Sequence, residues 1–130
     1  MKFKRFCPIV NTTKLAEIKA FYTTNFGFKP TFDAEMYLGL KSPAGLEIAF
    51  MTPSEGGQGY SGQSLTFSFE VDDVDAEYAR VKALGLTIIA EPKDNPWGDR
   101  SFITVDPIGV FLYIYKPIMP DETFKQYVKE

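Results

Sequence analysis

The order of secondary structure is clearest in residues 65–85, which read LTFSFEVDDVDAEYARVKALG. Residues 65–71 alternate between apolar and polar side chains, and this period of two predicts a β-strand with one face toward a core. Asp72 and Asp73 then favour a helix N-terminus, because carboxylates interact well with its partial positive charge. The apolar residues that follow recur at helical spacing as far as Gly85, so we predict a strand and then a helix that ends at this glycine.

Outward from this stretch, the same order of elements occurs twice. Three short apolar segments follow Gly85 and predict strands at residues 86–90, 101–105 and 110–115. Earlier in the chain, a predicted helix ends at Gly27 and has Thr12 or Thr13 as its cap. The strands predicted around this helix are residues 3–10, 28–32, 36–40 and 46–51. Two repeats of one pattern constrain the fold more than any single element does.

We therefore predict an α+β fold in which two βαβββ modules make up a single domain. The modules are residues 3–51 and 64–116, and a glycine-rich link at residues 54–63 joins them. A short helix is expected at residues 121–130, where apolar side chains share one side.

The composition excludes several classes of function. Of the 130 residues 45% are hydrophobic, enough for a packed core, and the formal net charge of −3 argues against nucleic-acid binding. No apolar run approaches the roughly 20 residues of a membrane span, and the N-terminus lacks the apolar region of a signal peptide, so we expect a cytoplasmic protein. The chain has no histidine, which removes the commonest metal ligand and the commonest general base.

Motifs in both modules resemble those of the vicinal oxygen chelate superfamily, which contains the glyoxalases, the extradiol dioxygenases and the bleomycin-resistance proteins. The motifs are Pro8-Ile-Val, Ala20-Phe-Tyr, Phe26-Gly-Phe, Pro96-Trp-Gly-Asp-Arg-Ser-Phe and Asp106-Pro-Ile-Gly. The resemblance runs from about Phe3 to Lys116. It implies that the paired modules form a curved mixed sheet with a concave ligand cavity, and that the protein is a homodimer.

The resemblance also assigns the positions that hold the metal in the enzymes of the family. They correspond here to Arg5, Glu47, Thr66 and Tyr113. Only Glu47 is a normal ligand, because Arg5 is cationic and the hydroxyls of Thr66 and a neutral Tyr113 are poor donors. We therefore expect no metal and no cofactor, as in the metal-free bleomycin-resistance proteins. Glu47 itself has two interpretations. It acts on a ligand, as a general base or as a counter-ion, or it forms an internal ion pair with Arg5.

Strand alternation predicts a face that mixes polar and aromatic side chains. Its members, on two strands of the second module, are Thr66, Ser68, Glu70, Phe111, Tyr113 and Tyr115. Ligand pockets are often lined in this way. A bare outer face of a sheet would give a similar pattern, so both interpretations stay open.

Two residues beside the expected cavity also have two interpretations each. Trp97 stacks on a planar ligand, or it covers the edge of the sheet. Arg100 binds a ligand carboxylate, or it pairs with Asp99 or Asp106 in a turn.

Two further features suggest other chemistry and are set aside. Cys7 is interpreted as a buried structural cysteine, because a nucleophilic thiol needs a base or a strongly cationic setting and the chain has no histidine. Gly57, Gly59 and Gly62 have the spacing of a dinucleotide fingerprint, but that motif must open a helix and here a strand follows. We interpret these glycines as part of a flexible hinge.

Together these observations predict a metal-free protein that binds a small organic ligand, amphipathic or cationic in character. The expected contacts are Arg5, Tyr37, Glu47, Thr66, Ser68, Glu70, Trp97, Arg100, Phe111, Tyr113 and Tyr115. The alternative is an enzyme of the same fold, a lyase, isomerase or dioxygenase with an atypical or metal-free site, in which Glu47 or Tyr113 transfers protons. A structural or partner-binding module is a third interpretation, suggested by the C-terminal helix.

Overall fold

The computed structural model of the chain describes residues 1–62 and 64–129. The chain divides into two compact units, Met1–Gly62 and Gln63–Glu130, and each begins with the element order βαβββ. The predicted α+β class and the repeated modules are therefore confirmed. Gln63 of the predicted link and Glu130 of the predicted C-terminal helix lie outside the described residues. Within those residues, the helices are all too short or too polar to cross a membrane.

The first unit is a four-stranded sheet with one helix. Its elements are β1 (Ile9–Asn11), α1 (Leu15–Phe26), β2 (Lys29–Asp33), β3 (Tyr37–Lys41) and β4 (Glu47–Met51). The strands lie in the order β1-β4-β3-β2, with β1 parallel to β4 and the other neighbours antiparallel. The buried core includes Ile18, Tyr22, Leu38, Leu40 and Phe50.

The strand predicted at residues 3–10 is wrong for most of its length, since β1 begins only at Ile9. Phe3 and Phe6 are 86% and 83% exposed. These two residues are three positions apart, so a strand would place them on opposite faces. Pro8, in addition, has no N–H to donate to a sheet.

The predicted cap of α1 is also wrong. Lys14 occupies the cap position and has no side-chain cap hydrogen bond. The hydroxyl of Thr12 accepts instead from the backbone N–H of Lys14 at 3.0 Å, in the turn that precedes the helix. Gly27 ends the helix as predicted, with a φ of 70° that glycine adopts without steric cost.

The second unit repeats this arrangement and adds a short helix. Its elements are β5 (Thr66–Glu70), α2 (Val74–Ala83), β6 (Ile88–Asn95), β7 (Asp99–Val105), β8 (Phe111–Pro117) and α3 (Glu122–Lys125). The strands lie in the order β5-β8-β7-β6, with β5 parallel to β8. Asp73 caps α2, because its carboxylate accepts from the backbone N–H of Ala76 at 3.0 Å. The buried core includes Val81, Phe102, Val110, Leu112 and Ile114.

Strand β6 is longer than the predicted strand at residues 86–90 and continues to Asn95. Pro92 interrupts its apolar pattern but is tolerated, because β6 is the edge strand of the sheet. The turn-rich loop expected around Trp97 is therefore a tight turn of residues 96–98 between β6 and β7.

The C-terminal helix is shorter than the predicted residues 121–130, since α3 covers four residues. The chain that leads into it is fixed to the β6–β7 turn by two backbone hydrogen bonds of 2.9 Å. Ile118 donates to the carbonyl of Gly98, and Asp121 donates to the carbonyl of Pro96.

Candidate functional site

The first unit contains a cavity of about 300 Å³. Residues from the N-terminal segment and from β2, β3 and β4 line it, among them Arg5, Cys7, Phe32, Tyr37, Gly39 and Glu47. The rings of Phe32 and Tyr37 meet edge to face, with centroids 5.7 Å apart. The cavity therefore combines an aromatic wall with one cation and one carboxylate.

Arg5 and Glu47 form a two-point ion pair in this cavity. The Nη2 of Arg5 donates to Oε1 of Glu47 at 2.8 Å, and its Nε donates to Oε2. The hydrogen bond from Arg5 is the main reason that the pKa of Glu47 lies below its ordinary value. The internal ion pair, one of the two interpretations of Glu47, is thus present. A carboxylate with a lowered pKa is a weak base, which counts against proton abstraction by Glu47.

Cys7 lies in the same cavity and is half-buried. Its thiol points toward the carbonyl of Pro8, with the sulfur 3.8 Å from the oxygen. Burial raises the pKa of the Cys7 thiol, and the nearby charge of Glu47 raises it further. The thiol is therefore protonated at neutral pH, in agreement with a structural cysteine.

Gly39 lies in the wall of the cavity, where β2 packs closely on β3. Thr31 lies opposite, at a bulge where the pairing of β2 with β3 shifts between Pro30 and Phe32. A Cβ atom on Gly39 would come within 2.7 Å of the hydroxyl oxygen of Thr31. The glycine therefore accommodates the hydroxyl of Thr31 at the bulge, beside Phe32 in the cavity wall.

The second unit carries a polar network, the Asp99 cluster, formed by Asn95, Trp97, Asp99, Ser101 and Tyr113. Three side chains donate to the carboxylate of Asp99. Trp97 Nε1 is 3.0 Å from Oδ2, Asn95 Nδ2 is 2.7 Å from Oδ1, and the hydroxyl of Tyr113 is 2.9 Å from each oxygen. Asn95 also donates to the hydroxyl of Ser101 at 2.8 Å. Burial is the main reason that the pKa of Tyr113 is raised, so its hydroxyl stays protonated and donates.

Sequence reasoning identified Trp97 and Tyr113 but missed Asn95 and Asp99. Asn95 and Asp99 are partners across the ends of β6 and β7. Alternation along β7 puts Asp99 on the same face as Ser101, which lies opposite Tyr115 of β8. This signal was overlooked because the segment was expected to be a loop, where alternation does not apply.

Arg100 lies on the opposite face of β7 from the Asp99 cluster. Its guanidinium binds the carboxylate of Asp75 at 2.8 and 2.9 Å and that of Asp94 at 3.1 Å. The predicted pairing with Asp99 or Asp106 is therefore wrong. The reason is again alternation, which turns residue 100 toward helix α2. The structure does not bring Arg100 together with the other predicted contacts of this unit.

The remaining predicted contacts of the second unit lie on the same face as Tyr113. Strands β5 and β8 are parallel, and their register pairs Thr66 with Phe111, Ser68 with Tyr113 and Glu70 with Tyr115. The rings of Tyr113 and Tyr115 have centroids 6.1 Å apart. This face is polar on one strand and aromatic on the next.

Comparison with known proteins agrees with this fold. The model of the glyoxalase/bleomycin resistance protein/dioxygenase superfamily matches residues 4–114. The chain belongs to this superfamily. An uncharacterized protein of Mycobacterium bovis is 34% identical to it over 68 residues, which are 52% of this chain and 42% of that protein. The match thus spans less than half of that curated relative.

Solved structures of the superfamily share the fold over most of the chain. A glyoxalase/bleomycin resistance protein/dioxygenase from Nocardioides has a TM-score of 0.77 and 20% identity, over 93% of this chain and 88% of that one. TnmS3, an antibiotic binding protein from Streptomyces sp. CB03234, has a TM-score of 0.73 and 25% identity, over 90% and 98%. A bleomycin resistance determinant encoded on transposon Tn5 has a TM-score of 0.72 and 20% identity, over 90% and 100%.

The metal positions of the superfamily do not offer a fitting donor set in this member. Glu47 is bound to Arg5, the hydroxyl of Tyr113 donates a hydrogen bond to Asp99, and Thr66 is exposed. In residues 1–62 and 64–129, no group of three His, Cys, Asp or Glu side chains could hold a metal ion. The residues present therefore do not match the nitrogen and carboxylate ligands that a divalent metal prefers.

Proposed function

We propose that this superfamily member is a metal-independent binding protein that sequesters a small organic ligand, amphipathic or cationic in character. The observation that carries the proposal is the ion pair of Arg5 with Glu47. In this pair the guanidinium of Arg5 binds Glu47, whose position corresponds to a metal ligand in the enzymes of the superfamily. A guanidinium at this point repels a divalent metal and keeps the carboxylate ionised.

The cavity of the first unit supports binding of an apolar or aromatic group. About 300 Å³ is at the lower end of ligand-pocket volumes, so it suits one ring system, either alone or as part of a larger molecule. Phe32 and Tyr37 supply an aromatic wall, and the charges of Arg5 and Glu47 balance each other. The names of two similar structures, an antibiotic binding protein and a bleomycin resistance determinant, support this class of ligand. A cytoplasmic homodimer is part of the proposal.

Metal retention tests the first half of the proposal. The untagged protein is incubated with Zn²⁺, Ni²⁺, Mn²⁺ or Fe²⁺ and desalted. We expect less than about a tenth of an equivalent to remain, with no change in melting temperature. Near-stoichiometric retention of one metal would contradict the proposal.

Protection of Cys7 tests ligand binding, because this single thiol lines the cavity. Its alkylation rate is measured with bleomycin, other cationic glycopeptides and aromatic drugs. A bound ligand should slow the reaction. Phe32→Ala removes a wall of the cavity and should weaken protection roughly tenfold. Phe3→Ala, which removes an exposed ring of the same unit, is the matched control and should leave protection unchanged.

A further inference from the structure

Asp99 is a half-buried carboxylate whose three hydrogen-bond donors are all neutral. Trp97, Asn95 and Tyr113 each donate one hydrogen, which orients the carboxylate but does not cancel its charge. This differs from Glu47, whose charge is balanced by the guanidinium of Arg5. The cluster therefore holds the Asp99 carboxylate in a partly dry setting, where attraction between a carboxylate and a cation is stronger than in water.

Hydrogen-bond counting leaves room for one more donor at Asp99. A carboxylate has about four lone-pair sites, and the three neutral neighbours fill three of them. The hydroxyl of Tyr113 has one hydrogen, so its 2.9 Å distances to both oxygens represent a single shared bond. The three donors thus fix the orientation of the Asp99 carboxylate, which can still accept one N–H from a ligand.

Among the described residues, the cations near Asp99 do not form an ion pair with its carboxylate. Arg100 is the nearest in sequence, but it lies on the other face of β7 and binds Asp75 and Asp94. Lys93 faces the same side, as the register partner of Ser101, and it is exposed. The ion pairs found within residues 1–62 and 64–129 do not include Asp99.

Aromatic rings border the cluster on the same face. The side chain of Trp97 is half-exposed, and its ring meets that of Phe124 in α3, with centroids 6.5 Å apart. Tyr113 and Tyr115 follow along β8. A planar cation on Asp99 would lie beside these rings, and stacking on one of them would add cation–π attraction to the charge-assisted hydrogen bond.

We propose that Asp99, with Trp97 and Tyr113, is a recognition site for a planar organic cation, an amidinium or guanidinium group carried on an apolar body. The inference rests on the proposed function, in which the chain binds an organic ligand, and it concerns a cationic group that the second unit binds by itself. Asp99 contacts the cation, Trp97 stacks on it, and Asn95 with Tyr113 positions the carboxylate.

The test uses benzamidinium as the probe and its neutral isostere benzamide as the comparison. The chain has one tryptophan, so the indole N–H of Trp97 gives a single resonance in a ¹H–¹⁵N spectrum, and this N–H donates to Asp99. We expect benzamidinium to shift this resonance in a saturable way, and to bind about tenfold or more tightly than benzamide. Added salt should weaken the binding of benzamidinium.

Asp99→Asn keeps the size of the side chain and removes its charge, and should weaken benzamidinium binding about tenfold. Asp94→Asn is the matched control, because Asp94 belongs to the same hairpin but binds Arg100 on the other face. It should bind the probe within about twofold of the original chain. Equal binding of benzamide and benzamidinium by the unmutated chain would overturn the proposal even if Asp99→Asn fails to fold.

The cavity of the first unit and the cation site of the second can be contradicted independently, because each has its own readout. Slower alkylation of Cys7 reports the cavity of the first unit, whereas the Trp97 resonance reports the second. A ligand that protects Cys7 while benzamidinium leaves Trp97 unshifted would overturn the cation site alone. A shift at Trp97 without any ligand that protects Cys7 would leave the cation site standing and contradict the cavity.

Discussion

Arg5 and Glu47 show how the neighbour of a carboxylate decides its chemistry. The guanidinium holds both oxygens of Glu47 and lowers the pKa of the carboxyl, so Glu47 is neither a free counter-ion nor a strong base. Asp99 has the same functional group, but its hydrogen-bond partners are neutral side chains and not a guanidinium. The family resemblance brought Arg5 and Glu47 together in the sequence analysis, whereas the Asp99 cluster was missed because the segment around Trp97 was expected to be a loop.

The ion pair makes stability depend on pH in a defined direction. The pKa of Glu47 is lowered in the folded chain, so the pair stabilises the fold above the carboxyl's unfolded pKa and loses this effect as the pH falls through the folded pKa. Urea unfolding at pH 7 should show Glu47→Gln to be less stable than the original chain. At about pH 2 the difference should disappear. Glu91→Gln, at an exposed position of β6, is the control, and a difference that persists in acid would contradict the ion-pair explanation.

Cys7 should react slowly with iodoacetamide at neutral pH, because burial raises the pKa of its thiol. The charge of Glu47 also raises this pKa, so Glu47→Gln should speed alkylation, whereas Arg5→Gln should slow it. The rate is measured as a function of pH, with free cysteine as the reference. Identical pH profiles for the two variants would show that these charges do not reach the thiol.

The two long helices begin in different ways. Asp73 caps α2 through its own carboxylate, while α1 begins at Lys14 without a side-chain cap. Asp73→Ala should lower the free energy of unfolding by about 1 kcal/mol, because the N–H of Ala76 loses its partner. Asp72→Ala, at the preceding exposed aspartate, should change it by less than about 0.5 kcal/mol in the same urea titration. Equal effects would mean that general charge at the helix start, not the cap, is responsible.

At the scale of elements, alternation was the most informative signal in the sequence. It placed the side chains of β5 and β8 correctly, because both strands are regular and half-buried. It failed to define β6 and the start of β7, since Pro92 and Gly98 suggested a loop there. This one boundary error put Arg100 on the wrong face and hid Asp99. Proline at a sheet edge breaks the pattern without ending the strand.

At the scale of the whole molecule, the repeat of βαβββ was readable because each unit encloses its own apolar core. Phe102 and Val81 are fully buried in the second unit, as Tyr22 and Phe50 are in the first. An apolar core between a helix and a sheet needs only apolar residues at a regular spacing, and this spacing is visible in the sequence. A polar network such as the Asp99 cluster depends on side chains of β6, β7, β8 and the β6–β7 turn meeting in space. Alternation assigns each side chain to a face of its strand but does not encode which residues meet.

Phe102→Ala tests the core of the second unit. The ring is fully buried and meets that of Tyr78 edge to face at 5.5 Å, so its removal leaves a cavity and should cost about 3–5 kcal/mol of unfolding free energy. Unfolding in urea is followed by the emission of Trp97. Ile89→Ala, at a position that is 46% exposed, should cost well under half as much. Similar losses for both variants would contradict the assignment of Phe102 to the core.

The close approach of Gly39 and Thr31 has a consequence for how this cavity changes over generations. A side chain at position 39 collides with the hydroxyl of Thr31, whose β-branched side chain has little freedom to turn away. Replacement of Thr31 by a smaller residue removes the obstacle and then permits a larger residue at position 39. The two positions are therefore epistatic, and the order of the substitutions matters. A chain that first loses the bulk at position 31 is therefore expected to accept a differently shaped cavity, whereas one that changes position 39 first is expected to lose the close pairing of β2 with β3.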